Sequence, residues 1–145
     1  MKILFDTNVV LDVMLDRDPF AEPASRLMSL VESGKVSGLL GATTVTTIHY
    51  LATKVMGPVK AQNQITDLMM LFEIAAVNRS VIEDALVVKF SDFEDAVLYQ
   101  AARHAGAEAV VTRDLKGFKQ SKIPVYNPEE MLNVFEVLKI EKDEN

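Results

Sequence analysis

The stretch Ile3-Leu4-Phe5-Asp6-Thr7-Asn8-Val9-Val10 decides how the rest of the chain is read. Three apolar residues stop at an acid, and the apolar positions that follow (Val9, Val10, Val13 and Met14) recur at three-and-four spacing. A short run apolar throughout suits a strand buried on both faces of a parallel sheet, and the spacing after it suits an amphipathic helix. Asp6 then stands at the carboxyl end of the strand, the edge where open parallel sheets bind ligands.

Working outward, Val36 to Leu40, Ile74 to Val77, Ala109 to Val111 and Val125-Tyr126 are apolar runs of similar kind and are expected to be strands. Helical periodicity fills the gaps. One segment lies between Pro19 and Gly34, with Leu27, Leu30 and Val31 inward. Another runs from Thr43 to Met56, where Gly57-Pro58 stops it, and a third from Pro58 to Phe72 carries Ile65, Leu68, Met69 and Phe72 on one stripe. Ser80 with Glu83 and Ser91 with Glu94 have capping-box spacing, Gly106 is placed to end the second of these helices, and Asn127-Pro128 opens the last one. The order predicts an α/β fold, a three-layer α/β/α sandwich with a mainly parallel central sheet. One domain is expected over residues 1–138, with a charged, frayed tail over 139–145.

Composition narrows the chemistry. The 145 residues are 49% hydrophobic and 25% charged, and they include no cysteine, which excludes disulfides, thiolate metal sites and cysteine nucleophiles. The net charge of −6, from 15 basic and 21 acidic residues, argues against a general polyanion binder. It is compatible with a nucleic-acid substrate, because acids gathered around a divalent cation count as negative in a sum that omits the metal. No apolar run approaches a membrane span, and an acid at position 6 comes too early for a signal peptide, so a cytoplasmic protein without membrane contact is expected.

Carboxylates from three places are expected at the sheet edge. Asp6 follows the first strand, Asp114 follows Ala109-Val110-Val111-Thr112, and Asp92 and Asp95 lie in the first turn of the helix after Ser91. Asp92 and Asp95, three apart, share a helix face and repel. The helix N-terminus offsets part of that repulsion and a divalent cation would offset more. Taken singly each acid has an ordinary structural role, as a dipole partner or loop former. Together, hard oxygen donors without thiols point to Mg²⁺ or Mn²⁺. Asp12, Asp16 and Asp18 are expected to face solvent, and His104 to suit a helix C-terminus. Met69-Met70 belongs either to the core or to a dimer surface.

These residues carry a resemblance. Ile3 to Asp12 resembles the opening motif of the PIN-domain family. Asp92-Phe93-Glu94-Asp95-Ala96 with Ala101 to Ala107 is similar to that family's central acidic helix. Val110-Val111-Thr112-Arg113-Asp114 and the later Asn127-Pro128-Glu129-Glu130 look like its closing strand and final helix. The likeness spans residue 2 to about 136. It implies a Mg²⁺- or Mn²⁺-dependent ribonuclease acting on RNA, in many small members the toxin of a toxin–antitoxin (VapC-type) pair and commonly a homodimer. Asp6 and Asp95 would be the core ligands, Asp114 would orient a water or complete a second site, and Asn8 and Thr112 would support Asp6.

The chain departs from the family pattern in one respect. A Glu expected on the third helix is replaced, counting from Thr43, by His49, and no Asp or Glu occurs between Glu32 and Asp67. Either His49 is a nitrogen ligand favouring Mn²⁺, or Asp92 supplies the missing charge, which is the preferred reading, or the site is weakened. The last possibility leaves a catalytically weakened or inactive PIN-fold binding module, with an antitoxin protein as a partner, as the alternative function. Arg113, Lys116, Lys119 and Lys122 cluster after the last acidic strand, and the first three are candidate RNA contacts. Lys35, Lys54, Lys60 and Lys89 are scattered.

Overall fold

The computed structural model describes residues 1–144. Five strands, Lys2–Phe5 (β1), Ser37–Gly41 (β2), Glu73–Ala75 (β3), Ala109–Val111 (β4) and Val125–Tyr126 (β5), form one sheet in the order β3-β2-β1-β4-β5. Every neighbouring pair is parallel. The strand order reverses between β1 and β4, which leaves a crevice beyond their carboxyl ends.

Among the described residues, seven α-helices cover the sheet: Thr7–Met14 (α1), Ala21–Glu32 (α2), Ala42–Met56 (α3), Pro58–Leu71 (α4), Arg79–Val87 (α5), Phe93–His104 (α6) and Pro128–Glu144 (α7). The alternation of side chains along β1 assigns the two layers. Ile3 and Phe5 point into a core with Leu27 of α2, Ile48 of α3, Leu68 of α4 and Met131 of α7. Leu4 points the other way, into a core with Val81 of α5 and Tyr99 and Ala101 of α6. Both faces are thus buried, which is why the strands read as unbroken apolar runs. The α/β/α sandwich expected from the sequence is the observed architecture.

Helix ends follow local chemistry, with two corrections. Asn127 caps α7 as expected, and Glu130 makes the cap reciprocal: the two exchange side-chain-to-backbone bonds of 2.8 and 3.0 Å. Gly106, at φ +79°, closes α6 with bonds from Gly106 N to Arg103 O and from Ala107 N to Ala102 O, the pairing that ends a helix through a left-handed residue. The caps of α5 and α6, however, are not Ser80 and Ser91. Asn78 caps α5 by accepting from Val81 N, and Asp92 caps α6 by accepting from Asp95 N. In each case an amide or carboxylate reaches the third N–H of its helix, the geometry that favours Asn and Asp at this position. The charged stretch after residue 138 continues α7 as helix to Glu144, and Asn145 lies outside the described residues. No helix among the described residues is long and apolar enough to cross a membrane.

Phe5 is fully buried and meets Phe72 edge-to-face, with ring centroids 5.1 Å apart. Phe5→Ala is expected to lower unfolding free energy by about 3–5 kcal/mol in urea denaturation. A loss below about 1 kcal/mol would mean that β1 is not the centre of the core.

Candidate active site

The β1–β4 pairing sets Phe5 opposite Val111, so the next residues, Asp6 and Thr112, emerge side by side into the crevice. Asp6 N donates to Val111 O at 3.0 Å, extending the ladder by one rung. The Asp6 carboxylate is held from three directions. Its Oδ1 accepts from Thr7 N at 2.7 Å, and its Oδ2 accepts from Thr112 Oγ1 at 2.7 Å and from Asn8 Nδ2 at 3.3 Å. Oδ1 keeps a lone pair for a further partner. The Thr112 hydroxyl also accepts from Asp114 N at 2.9 Å, and Asn8 Oδ1 accepts from Arg113 N at 3.2 Å. Asn8 and Thr112 therefore tie the turn after β1 to the turn after β4.

Asp95 arrives from the first turn of α6 and Asp114 from the turn after β4. With Asp6 they line one open cavity of about 370 Å³, joined by Glu94, the Arg17 and Arg113 guanidiniums, and Thr43, Thr44 and Thr47 of α3. Burial pushes the Asp6 carboxyl above the usual carboxylate range and the charge of Asp114 adds to this, while the bonds from Thr112 and Thr7 oppose it. The Asp95 carboxyl is pushed up to about 7, first by burial and then by the negative charges of Asp6, Asp92, Asp114 and Glu94. Such crowding of like charge is costly unless a proton or a cation relieves it.

The donors suit a hard divalent cation, since the acids of the cavity offer only carboxylate oxygens and the wall contains no imidazole. A Cβ at Gly117 would lie 2.6 Å from Asp114 Oδ2 and 2.8 Å from Asp95 Oδ2, so any side chain there would drive into both carboxylates. Among the described residues, no three acidic or histidine side chains stand close enough to encircle an ion as they are.

Several residues lie where the sequence did not put them. Glu94 lines the cavity; with the cap at Asp92 rather than Ser91, its carboxylate is not spent on a capping box. Asp92, the preferred substitute for the missing acid, borders a separate cleft that Asp6 does not line. His49 is exposed and does not line the cavity, where α3 presents hydroxyls instead. Asp12 was expected in solvent but is 0% exposed. It is buried because two guanidiniums reach it: Arg113 Nε and Nη2 bond its two oxygens at 2.6 and 3.1 Å, and Arg17 Nε lies 2.9 Å from Oδ1. The Arg17 Nε–H is not aimed along that line and is left unsatisfied. Arg113, expected to reach RNA, is bound to Asp12 and stacked 4.0 Å over Phe20. His104 pairs with Asp84 of α5 at 2.6 Å, and Met69 and Met70 are exposed.

The raised Asp95 value has a stability consequence. The folded state holds a proton that the unfolded chain releases near 3.8, so this contribution is complete below that pH and lost as pH rises through about 7. In EDTA, the melting temperature of the native sequence is expected to fall as pH rises from about 5 to about 8, and Asp95→Asn should flatten that fall. Identical profiles for the two proteins would contradict the crowding.

Residues 2–116 match the family model of the PIN domain. Among curated proteins none matches the chain. In fold the chain is similar to VapBC2 from Rickettsia felis, solved bound to a promoter DNA fragment, at 14% identity and a TM-score of 0.67 over 88% of this chain and 98% of that one. It is also similar to FitAcB from Neisseria gonorrhoeae, at 22% identity and a TM-score of 0.63 over 87% and 97% of the two chains. VapC20 from Mycobacterium tuberculosis, described as a Sarcin-Ricin loop cleaving toxin, is similar at 18% identity and 0.60 over 74% and 86%. The family match covers most of the chain and includes Asp6, Asp95 and Asp114, and the chain belongs to the PIN-domain family.

Proposed function

We propose that the protein is a Mg²⁺- or Mn²⁺-dependent endoribonuclease and the toxin of a toxin–antitoxin pair. The observation that carries this reading is the meeting of Asp6, Asp95 and Asp114, far apart in sequence, around one cavity at the β1–β4 switch point. The relatives in fold include a toxin–antitoxin complex from Klebsiella pneumoniae and a toxin described as cleaving the Sarcin-Ricin loop, which supports the choice of RNA and of an antitoxin partner. A homodimer is proposed on the family resemblance.

Asp6 and Asp95 would hold the cation, with Asp114 beside them. The cation would supply Lewis acidity toward a phosphate oxygen and make a water nucleophilic near neutral pH. The chain's own groups set the geometry. Thr112 and Asn8 fix the Asp6 carboxylate, and through Asp114 N the same hydroxyl fixes the turn that carries Asp114. Asp95 would give up its proton on loading, since bound metal favours the carboxylate. Gly117 keeps the space between Asp95 and Asp114 clear. Arg17 and Arg113, held on Asp12 at the cavity wall, oppose the negative charge that a phosphate brings in. The second reading, an inactive binding module, is favoured by one observation: α3 lends the cavity only Thr43, Thr44 and Thr47 and no acid.

A circular single-stranded RNA separates these readings, because only an endonuclease can open it. The native sequence is expected to linearise it in Mn²⁺ and not in EDTA, with Asp95→Asn slowed by at least about 100-fold in gel assays. Absence of metal-dependent cleavage favours the binding module, and cleavage that survives Asp95→Asn would remove Asp95 from its role.

A further inference from the structure

Asp95 and Asp114 form a wall with two sides. On the side away from Asp6 they border, with Asp92, a second open cleft of about 640 Å³ that also carries Lys89, Lys116 and Lys119. Lys89 comes from the segment joining α5 to α6. Lys116 and Lys119 come from the short 3-10 turn over Lys116–Phe118 and the residue after it. The sequence separates Lys89 from the other two, and the packing of this segment on the turn reunites them. Phe90 is stacked on Tyr99 at 4.8 Å and meets Phe118 edge-on at 5.9 Å, so the neighbouring chain is pinned to both α6 and the turn.

None of these three lysines takes part in the ion pairs formed among the described residues. That is notable beside Asp92, Asp95 and Asp114 in a chain of net charge −6. The two guanidiniums on the Asp6 side are committed to Asp12, so among the described residues lining the two cavities the cations without an ion pair lie in this second cleft. A phosphodiester held at Asp95 and Asp114 continues along its strand into the clefts on either side of them. An unpaired strand can follow a concave surface of this kind with its phosphates on lysines and a base against Phe90, which lines the cleft. A duplex keeps its bases stacked inside and meets proteins across its outer grooves.

We infer that the Lys89–Lys116–Lys119 cleft binds single-stranded RNA, holding the phosphates on one side of the bond to be cut. The inference rests on the ribonuclease reading for what happens at the carboxylates. Its test is kept apart by measuring binding without cleavage. Asp6→Asn protein is titrated with a short fluorescein-labelled single-stranded RNA, followed by anisotropy over a range of KCl, with and without K89Q/K116Q/K119Q, after melting curves establish that both proteins fold. The triple substitution is expected to weaken binding by more than about tenfold at low salt and to reduce the slope of log K against log salt by about 2, from three lost phosphate contacts. An unchanged slope overturns the inference and leaves these lysines to a protein partner. Equal lysine dependence on a duplex of the same sequence overturns the single-strand assignment. A native protein that cuts no RNA in Mn²⁺ overturns the ribonuclease reading alone, and lysine-dependent binding would still stand.

Discussion

The pairing of β1 with β4, completed by the 2.7 Å bond from the Thr112 hydroxyl to Asp6, is the contact on which the candidate site depends. These strands are joined by more than a hundred residues of intervening chain, yet their ends deliver Asp6, Thr112 and Asp114 to neighbouring positions. The bond is buried, and removal of the hydroxyl would leave Asp6 with one fewer donor in a place where burial already disfavours its charge. The carboxylate at the centre and the turn that carries its neighbour share a single hydroxyl, so a disturbance at either reaches the other.

Electrostatics then works against the fold at this edge. Asp95 is drawn among four other acids, and its carboxyl rises to about 7 as a result. Natural structures keep such crowding where a ligand relieves it, which is the physical basis for reading perturbed acids as functional. The cations around the site are divided. Arg17 and Arg113 are tied to the buried Asp12, so they act as fixed charge in the wall, while Lys89, Lys116 and Lys119 remain unpaired on the far side of Asp95 and Asp114. On the proposed reading, fixed charge beside the carboxylates and unpaired charge in the second cleft would suit a flexible polyanionic substrate.

The architecture was legible because it rests on local signals: apolar runs bounded by acids, three-and-four spacing, and Gly106 and Asn127-Pro128 at helix ends. The convergence of Asp6, Asp95 and Asp114 was legible too, because strand ends and helix starts in a parallel sheet all face one edge. What failed depended on partners remote in sequence. Asp12 reads as a solvent acid until Arg113, about a hundred residues on, folds over Phe20 to meet it. Lys89 reads as isolated until the turn at Lys116 packs beside it. A one-residue shift of the α6 cap, from Ser91 to Asp92, was enough to hide Glu94 as a cavity residue and to set Asp92 outside that cavity. On α3, counting from Thr43 pointed to His49, but Thr43, Thr44 and Thr47 are the residues that line the cavity.

The most direct measurement is a crystal soaked in MnCl₂ and recorded at a wavelength where manganese scatters anomalously. The account predicts an anomalous peak within coordination distance of Asp6 and Asp95. A peak only elsewhere, or none with Asp6 and Asp95 well ordered, would contradict it.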